Sequence, residues 1–279
     1  MDNQLSASFK RELLAYFRTK RFMIIALVIV GLSVFSPLLI TGLGSLMDSM
    51  SDFYNELGMD VSGMTQVLSS ASSTGVVASA SEITGTGLIV LLLLLNRAAG
   101  GEQKKRAVII PKSAGLRSLS YILPKFIIYP LSAFVLAIIA MFASWAVSTL
   151  LYDFNDVSFS GVLLSGILSG VCLMLYICFH LTLGTATGKA GMSAAVCIAA
   201  SIILPNIFTL TDSDYLYNPF ALELLASSAI FDHNLSLRSL PDIVITIVFA
   251  LALMVISYFV ALFAQNAKKI DNSGNEIDL

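Results

Sequence analysis

The stretch FMIIALVIVGLSVFSPLLIT, residues 22–41, decides the fold class of this chain. It carries no charged residue, and a helix of about 20 apolar residues is long enough to cross the hydrocarbon core of a bilayer. The apolar core of a signal peptide is shorter, at about 7–15 residues, and no small-residue cleavage site follows this stretch. We therefore interpret residues 22–41 as a membrane-spanning helix that the protein retains.

Five further apolar stretches have a similar length and character. They cover residues 75–95, 126–149, 161–183, 191–210 and 243–264. The composition agrees, because 57% of the 279 residues are hydrophobic and 12% are charged, whereas soluble domains carry about 25% charged residues. The sequence predicts an all-α integral membrane protein whose six transmembrane helices form one domain over residues 22–264.

Basic residues are distributed unevenly among the connections. Of the 16 Lys and Arg residues, all except Arg238 lie before the first stretch, between the second and third, between the fourth and fifth, or after the sixth. Positively charged loops remain on the cytoplasmic side of a membrane. The pattern therefore predicts that the N-terminal segment 1–21 and the C-terminal tail 265–279 are both cytoplasmic.

The segment 8–21 has the periodicity of an amphipathic helix. Its apolar residues Phe9, Leu13, Tyr16 and Phe17 stand at positions i, i+4, i+7 and i+8, and its basic residues lie mostly elsewhere around the helix. Such helices lie in the membrane interface with their apolar face in the lipid. We expect this segment to lie along the cytoplasmic surface before the first span.

Two long connections belong to the predicted outer side. In residues 42–74, Asp48, Asp52 and Glu56 recur at four-residue spacing and predict a short helix with one acidic face, which is either a solvated surface or a cation site. In residues 212–241, the apolar run is too short and too polar to span the membrane. It predicts one or two short helices that dip into the outer leaflet.

The sequence has no signature of catalysis or of a bound cofactor. The segment GTATGKA, residues 184–190, is one residue short of a P-loop and lacks the Ser or Thr after its Lys, so the chain is not expected to bind ATP itself. His180 and His233 stand outside metal-binding motifs, and His180 is expected to hydrogen-bond a neighbouring helix. The three cysteines have no zinc-site spacing, and a net charge of −2 argues against nucleic acid as a partner.

Glu82 is the one carboxylate well inside a predicted span. Burying such a group is costly, with about +2.5–3.5 kcal/mol given for a charged residue at the helix centre, so it should face protein or water. Small and polar residues that include Ser79 and Thr86 surround it. Either Glu82, Ser79 and Thr86 line a translocation path, or Glu82 is a capped or snorkelling acid near the outer rim.

The fourth stretch contains small residues at four-residue spacing. Gly161, Ser165 and Ser169 form one row, and Gly166 and Gly170 form a second. Small residues allow two membrane helices to approach closely. The pattern predicts a helix–helix interface, with the partner helix either in this chain or in another one.

The most distinctive connection is NRAAGGEQKKRAVIIPKSAGLRSL, residues 96–119. A loop that only fixes topology needs positive charge alone. This one also contains an acid and a helix-forming run that is broken by Pro and Gly, which indicates a structured surface on the cytoplasmic side.

This layout resembles the permease subunits of ABC-2-type exporters. The shared features are an amphipathic N-terminal helix, six spans, an acidic and basic helix between the second and third spans, and a break at Pro124 before Lys125. The resemblance implies the ABC-2 exporter (type V) transmembrane fold. It also implies that the loop after the second span is a coupling helix seated in a separate ATPase subunit, at Gly101, Glu102, Gln103, Lys104, Lys105 and Arg106.

The resemblance further implies a half-transporter in the plasma membrane of a prokaryote. Two copies, or one copy and a related chain, would form the pore, and two ATPase subunits would bind ATP and Mg. The short segments within residues 218–230 would correspond to outer gate helices. The scarcity of intramembrane charge favours amphipathic or hydrophobic cargo, such as small peptides of the phenol-soluble-modulin type, although sodium and drug efflux permeases share the layout.

Two other classes remain open from the sequence. An ion-coupled secondary transporter would be expected to have internal repeats and broken helices, for which Glu82 and Pro130 are the only indications. A non-transporting membrane sensor or assembly factor would need no coupling surface at residues 102–106.

Overall fold

A computed structural model describes residues 2–50, 53, 72–101, 115, 117–152, 157–209, 218–231, 240–267, 269–270 and 276–277. These residues are largely helical. In chain order the α-helices are α1 (Asp2–Arg18), α2 (Arg21–Ser49), α3 (Ser72–Glu82), α4 (Leu88–Leu94), α5 (Ser118–Leu151), α6 (Phe159–Thr187), α7 (Ala190–Thr209), α8 (Leu222–Phe231) and α9 (Leu240–Ala267). Two π-helical segments, Ile83–Gly87 and Arg97–Gly101, a 3₁₀ turn, Pro219–Ala221, and an antiparallel pair, β1 (Lys269–Ile270) and β2 (Glu276–Ile277), complete the description.

Five helices are long and apolar enough to cross a membrane. They are Arg21–Met47, Ser73–Gly101, Ser118–Leu151, Phe159–Thr187 and Leu240–Ala267. A backbone in hydrocarbon has no water to bond with, so apolar stretches of this length satisfy their own polar groups as helices. The prediction of a multi-pass helical membrane protein is confirmed. We call Ser73–Gly101 the second span.

The predicted fifth span is shorter in the structure than the other five. The α7 helix covers Ala190–Thr209, but its described apolar part, Ala190–Asn206, is shorter than the other candidate spans. The short helices expected between residues 212 and 241 are present as Pro219–Ala221 and α8. A sixth crossing of the membrane therefore stays a prediction.

Two helices extend beyond the predicted spans. The α2 helix continues to Ser49, past the predicted end at residue 41; Asp52 and Glu56 of the predicted acidic face lie outside the described residues, as does the side chain of Asp48. The expected break at Pro124 is absent, because Pro124 lies inside α5, which begins at Ser118. Proline is accommodated in membrane helices when neighbouring groups bond the freed carbonyls.

The central helix of the bundle is α6, which contacts helices on several sides. A Cβ atom at Gly166 would lie 3.2 Å from the Cα of Ile138 in α5, and one at Gly161 would lie 2.9 Å from the Ala229 carbonyl oxygen in α8. The small residues of this helix therefore serve close packing within the chain, which decides the alternative that the sequence left open.

Several helices start or end at the same end of the bundle. Here α1 meets α5 through a 2.5 Å hydrogen bond from the Tyr129 hydroxyl to Glu12, and the Tyr258 ring of α9 packs on Phe126 of α5, with centroids 5.6 Å apart. The second span and α6 also end here. Basic residues at or next to these helix ends are Arg18, Lys20, Arg21, Arg97, Arg117 and Lys189. We call this end of the bundle the basic end.

The predicted apolar face of α1 is only partly correct. Tyr16 is buried, but Leu13 and Phe17 are 45% and 49% exposed, and the buried positions include Ser8 and Glu12. A buried carboxylate needs hydrogen-bond donors, and Tyr129 of α5 supplies one to Glu12. A polar strip therefore attaches α1 to the bundle, and the exposed apolar residues of α1 are available to the lipid.

Among the described glycines, Gly184 of α6 has the closest contact with another helix. A Cβ atom at this position would stand 1.8 Å from the Ala99 carbonyl oxygen, whereas one at Gly191 meets nothing within 4 Å. Both residues are helical, so replacement by Ala brings the same gain in helix propensity of about 1 kcal/mol. Only at Gly184 must the backbone of the second span move.

We predict that Gly184→Ala destabilises the fold by about 1–3 kcal/mol, the usual cost of overpacking. The measurement is the thermal unfolding midpoint of the detergent-purified protein, followed by intrinsic fluorescence. Gly191→Ala is the matched control and should leave the midpoint unchanged or slightly higher. Equal midpoints for the two variants would show that the second span does not rest on α6 at this glycine.

Candidate functional sites at the basic end and within the bundle

The predicted coupling surface begins where the described part of the second span ends. Gly101 is the last residue of the π-helical segment Arg97–Gly101. The other predicted contacts, Glu102, Gln103, Lys104, Lys105 and Arg106, lie outside the described residues. The structure thus describes the attachment of this loop to the bundle.

The attachment is a backbone contact between the second span and α6. Ala98, Ala99 and Gly100 are buried, and a Cβ atom at Gly100 would lie 2.6 Å from the Gly184 carbonyl oxygen. The α6 helix then ends at Gly188, whose left-handed φ of 67° places its N–H 2.9 Å from the Gly184 carbonyl oxygen. The two backbones can approach this closely because Gly100 and Gly184 have no side chain.

Lys125 of α5 fixes the same segment from the other side. Its ammonium group is buried, donates to the Ala98 carbonyl at 3.2 Å and to the Tyr121 hydroxyl at 2.9 Å, and lies 4.2 Å from the centre of the Tyr121 ring. A buried cation persists only when such partners replace its water. We call Arg97–Gly101, Lys125 and Gly184 together the loop base.

The three residues predicted to line a path occupy different environments. Ser79 is fully buried, and its hydroxyl lies 2.8 Å from the Ser33 carbonyl oxygen of α2, 2.9 Å from the Gly75 carbonyl oxygen and 2.7 Å from the Ser144 hydroxyl of α5. Thr86 is exposed and Glu82 is half-buried. Glu82 and Thr86 thus reach the outside of the bundle, whereas Ser79 joins three helices inside it.

The second span is π-helical between Ile83 and Gly87, directly after Glu82. Single π-helical turns are uncommon and often occur at functional sites. The sequence ITGTG explains the location, because its two glycines and its three β-branched residues, one isoleucine and two threonines, favour neither a regular helix nor tight packing. The Thr84 hydroxyl lies 2.9 Å from the Ala80 carbonyl oxygen, which it can satisfy in this irregular turn.

A cavity of about 300 Å³ lies beside this π-helical turn, between the second span, α7 and α8. We call it the membrane cavity. Its lining residues are Thr84, Gly85, Ile89, Ser201, Ile202, Pro205, Asn206, Glu223 and Leu224. Four of them are polar, and one of those is an acid.

Glu223 was missed as a site residue. In the sequence it counts among the acids of the outer connection, whereas in the structure it lies half-buried in the first turn of α8, within hydrogen-bonding reach of the Thr84 hydroxyl. Burial raises the pKa of this carboxyl, and the nearby Thr84 hydroxyl opposes part of the rise. A charged residue two positions into an apolar helix of ten residues was the available signal.

His180 and the three cysteines lie inside the bundle. His180 Nδ1 lies 2.9 Å from the Ser193 hydroxyl of α7, which confirms the predicted contact between helices. Cys172, Cys178 and Cys197 are buried free thiols. Among the described residues, no group of three or more His, Cys, Asp or Glu side chains could hold a metal ion.

Comparison with known proteins gives no match, since no family model, curated protein or solved structure is similar to this chain.

The geometry separates a structural from a path-lining role for Ser79. We predict that Ser79→Ala lowers stability by about 1–2 kcal/mol, because it leaves polar groups of two other helices without this bond. The exposed Thr86→Ala is the control and should stay within about 0.5 kcal/mol of the wild type. Thermal unfolding in detergent measures both, and an unchanged midpoint for Ser79→Ala would contradict the structural role.

Proposed function

We propose that this chain is the membrane-spanning permease subunit of an ATP-driven exporter of the ABC-2 type. Two copies, or one copy and a related chain, form the transmembrane unit with two separate ATPase subunits that bind ATP and Mg. The permease lies in the plasma membrane of a prokaryote, and the basic end faces the cytoplasm.

The observation that carries this proposal is the loop base. A loop that only holds topology needs no rigid attachment, yet the segment that leads into residues 102–106 is packed on α6 at Gly184 and held by Lys125 of α5. A force applied to that loop by a partner is therefore delivered to two long helices. This is the attachment that an energy-coupling contact requires.

The proposed topology has six crossings. The α7 helix starts at the basic end, where the Ser193 hydroxyl bonds to the His180 carbonyl at 2.7 Å, and its residue Asn206 lines the membrane cavity. The α9 helix has Ala261 at the basic end, beside Tyr121, so its 28 residues start at the other end. Because α7 and α9 start at opposite ends of the bundle, the chain crosses the membrane between these two starting points. This crossing supports two cytoplasmic termini, in agreement with the charge distribution.

The need for a second copy follows from the outer surface of the second span. Ser81 and Thr86 are exposed there, and Glu82 is half-buried. Polar residues of a membrane helix are stable when they face protein or water. A second copy that covers this surface would enclose a polar path between the two subunits, which is the arrangement we propose for transport.

The cargo class follows from the chemistry of this surface. The path residues are small hydroxyl side chains with few charges, among many apolar neighbours. Such a path suits an amphipathic or hydrophobic molecule, and we propose small peptides as the cargo. Sodium or drug efflux remains the alternative within the same architecture.

The mechanism we propose is rigid-body movement of helices. ATP-driven closure of the partner subunits pushes on residues 102–106, and the loop base transfers this displacement to α5 and α6. Interfaces between packed helices shift between discrete arrangements instead of deforming continuously. The path beside the second span would then open to one side of the membrane at a time.

A secondary transporter is the second candidate, because the membrane cavity places a carboxylate beside an irregular turn of a membrane helix. Such an arrangement is typical of ion-coupled sites. Cargo transport by liposomes that contain only this chain and an ion gradient would favour the secondary transporter.

The coupling proposal predicts the effect of charge reversal in the basic loop. With Lys104→Glu and Lys105→Glu combined, we expect the ATPase subunit to be lost from the affinity-purified protein, because like charges replace the attractive contact. Mass spectrometry of protein purified from its host identifies and quantifies the nucleotide-hydrolysing partner.

Lys189→Glu is the matched control, since Lys189 is an exposed basic residue at the same end of the bundle. It should retain the partner. If wild-type protein carries no such partner, or if the double variant retains it fully, the loop is not the coupling surface.

Glu82 tests the position of the path. We predict that Glu82→Gln changes the transport rate severalfold in proteoliposomes, while assembly with the ATPase and basal ATP hydrolysis stay near wild-type levels. The expectation follows from the position of Glu82 on the outer surface, away from the loop base. Loss of folded protein would assign a structural role to Glu82 instead.

A further inference from the structure

The membrane cavity offers hydrogen-bond acceptors to a ligand. The Ser201 hydroxyl donates its proton to the Ile198 carbonyl at 2.8 Å, so its lone pairs remain for the cavity. The Thr84 hydroxyl donates its proton to the Ala80 carbonyl at 2.9 Å, so its lone pairs remain as well. An ionised carboxylate at Glu223 accepts only. A ligand that bonds to these groups has to bring its own donors.

The charged group in the cavity lining is negative. Glu223 is the acid in the lining, and no Lys or Arg belongs to the residues that form this cavity. Where both residues are described, the ion pair within 4.0 Å joins Arg11 and Glu12 in α1, and Glu223 takes part in none. A half-buried carboxylate without a counter-charge gains most from a cationic ligand.

The other walls of the cavity are apolar. Ile89, Ile202, Pro205 and Leu224 lie among the polar groups, and Ile202 and Leu224 are also exposed at the outer surface of the bundle. The cavity therefore has a polar side at Glu223 and an apolar route toward the lipid. A ligand with one charged head and an apolar body matches both parts.

The size of the cavity argues against a bare metal ion. Hard cations are held by about six to eight oxygen atoms at about 2.3–2.6 Å. A cavity of about 300 Å³ with four polar side chains is too wide and too poor in oxygen for that coordination. This volume instead lies at the lower limit for small-molecule sites, which run from about 300 to 1,000 Å³.

We propose that the membrane cavity binds a primary ammonium group carried on an apolar body, with the ammonium at Glu223, Thr84 and Ser201 and the apolar part along Ile202 and Leu224. The inference rests on the proposed function only for the step from binding to export. It names the cargo class as cationic amphiphiles, which includes lysine-containing amphipathic peptides.

The test is binding of dansylcadaverine, a fluorescent amphiphile with a primary ammonium group, to the purified chain without any ATPase. The protein is placed in phosphatidylcholine nanodiscs, whose lipids carry no net charge, and the fluorescence increase is titrated. We expect saturable binding, and we expect Glu223→Gln to raise the Kd about tenfold or more, corresponding to about 1.4 kcal/mol. Asp242→Asn, which removes an acid of α9 that does not line the cavity, should leave the Kd within twofold.

Dansyl amide, which has the same fluorophore without the ammonium, separates the charged head from the apolar body. It should bind wild type and Glu223→Gln equally weakly. If Glu223→Gln does not fold, Ser201→Leu fills the cavity from α7 without altering the acid, and it should also raise the dansylcadaverine Kd about tenfold. Binding that neither variant weakens, or that dansyl amide reproduces, would overturn the proposal.

Binding and export are separable in this design. Glu223-dependent binding without ATP-driven efflux of dansylcadaverine by the assembled complex would retain the site and reject the proposed transport function. Efflux that is insensitive to Glu223→Gln would retain the transporter and reject the site.

Discussion

Hydrocarbon offers no hydrogen-bond partners, and this constraint explains how the helices of this chain are held in register. Ser79 has partners in α2, its own helix and α5, so one hydroxyl joins three helices. Glu12 and Tyr129 do the same between α1 and α5. Between apolar surfaces that lipid would cover equally well, such polar contacts discriminate one arrangement from another. The remaining stability comes from close packing, which the glycines of α6 permit.

Polar contacts and close packing act together at the loop base. The glycines bring the backbones of the second span and α6 within contact distance, and this leaves carbonyl groups at the end of the second span that the helix itself does not satisfy. The Lys125 ammonium bonds to one of them, at Ala98. A positive charge near the C-terminal end of a helix is also favoured by the helix dipole. The sequence therefore has a lysine where a membrane helix would otherwise exclude one.

Much of the fold was predictable because it follows from length and hydropathy. Five of six predicted spans match helices of spanning length, and the glycine and serine rows of the fourth stretch correctly indicated a helix interface. The inward face of α1 was not predictable, because Glu12 becomes buried only through a tyrosine 117 residues later in the chain. The π-helical turn and Glu223 were missed for a related reason. A local pattern shows that ITGTG is a poor helix former, but only tertiary contact places an acid of α8 beside it.

The two candidate sites are connected by one helix. Gly184 of α6 meets the second span at the loop base, and Gly161 of the same helix meets α8, which carries Glu223. These glycines are 23 residues apart, or about 35 Å at 1.5 Å per residue. The α6 helix contains no proline and is the most buried of the candidate spans, so we expect it to behave as a rigid body. A displacement at the loop base therefore has a direct route to α8, while the π-helical turn of the second span is the element beside the cavity that can change its hydrogen bonding. Coupling between the sites requires only that this turn has two arrangements and that the position of α6 biases them.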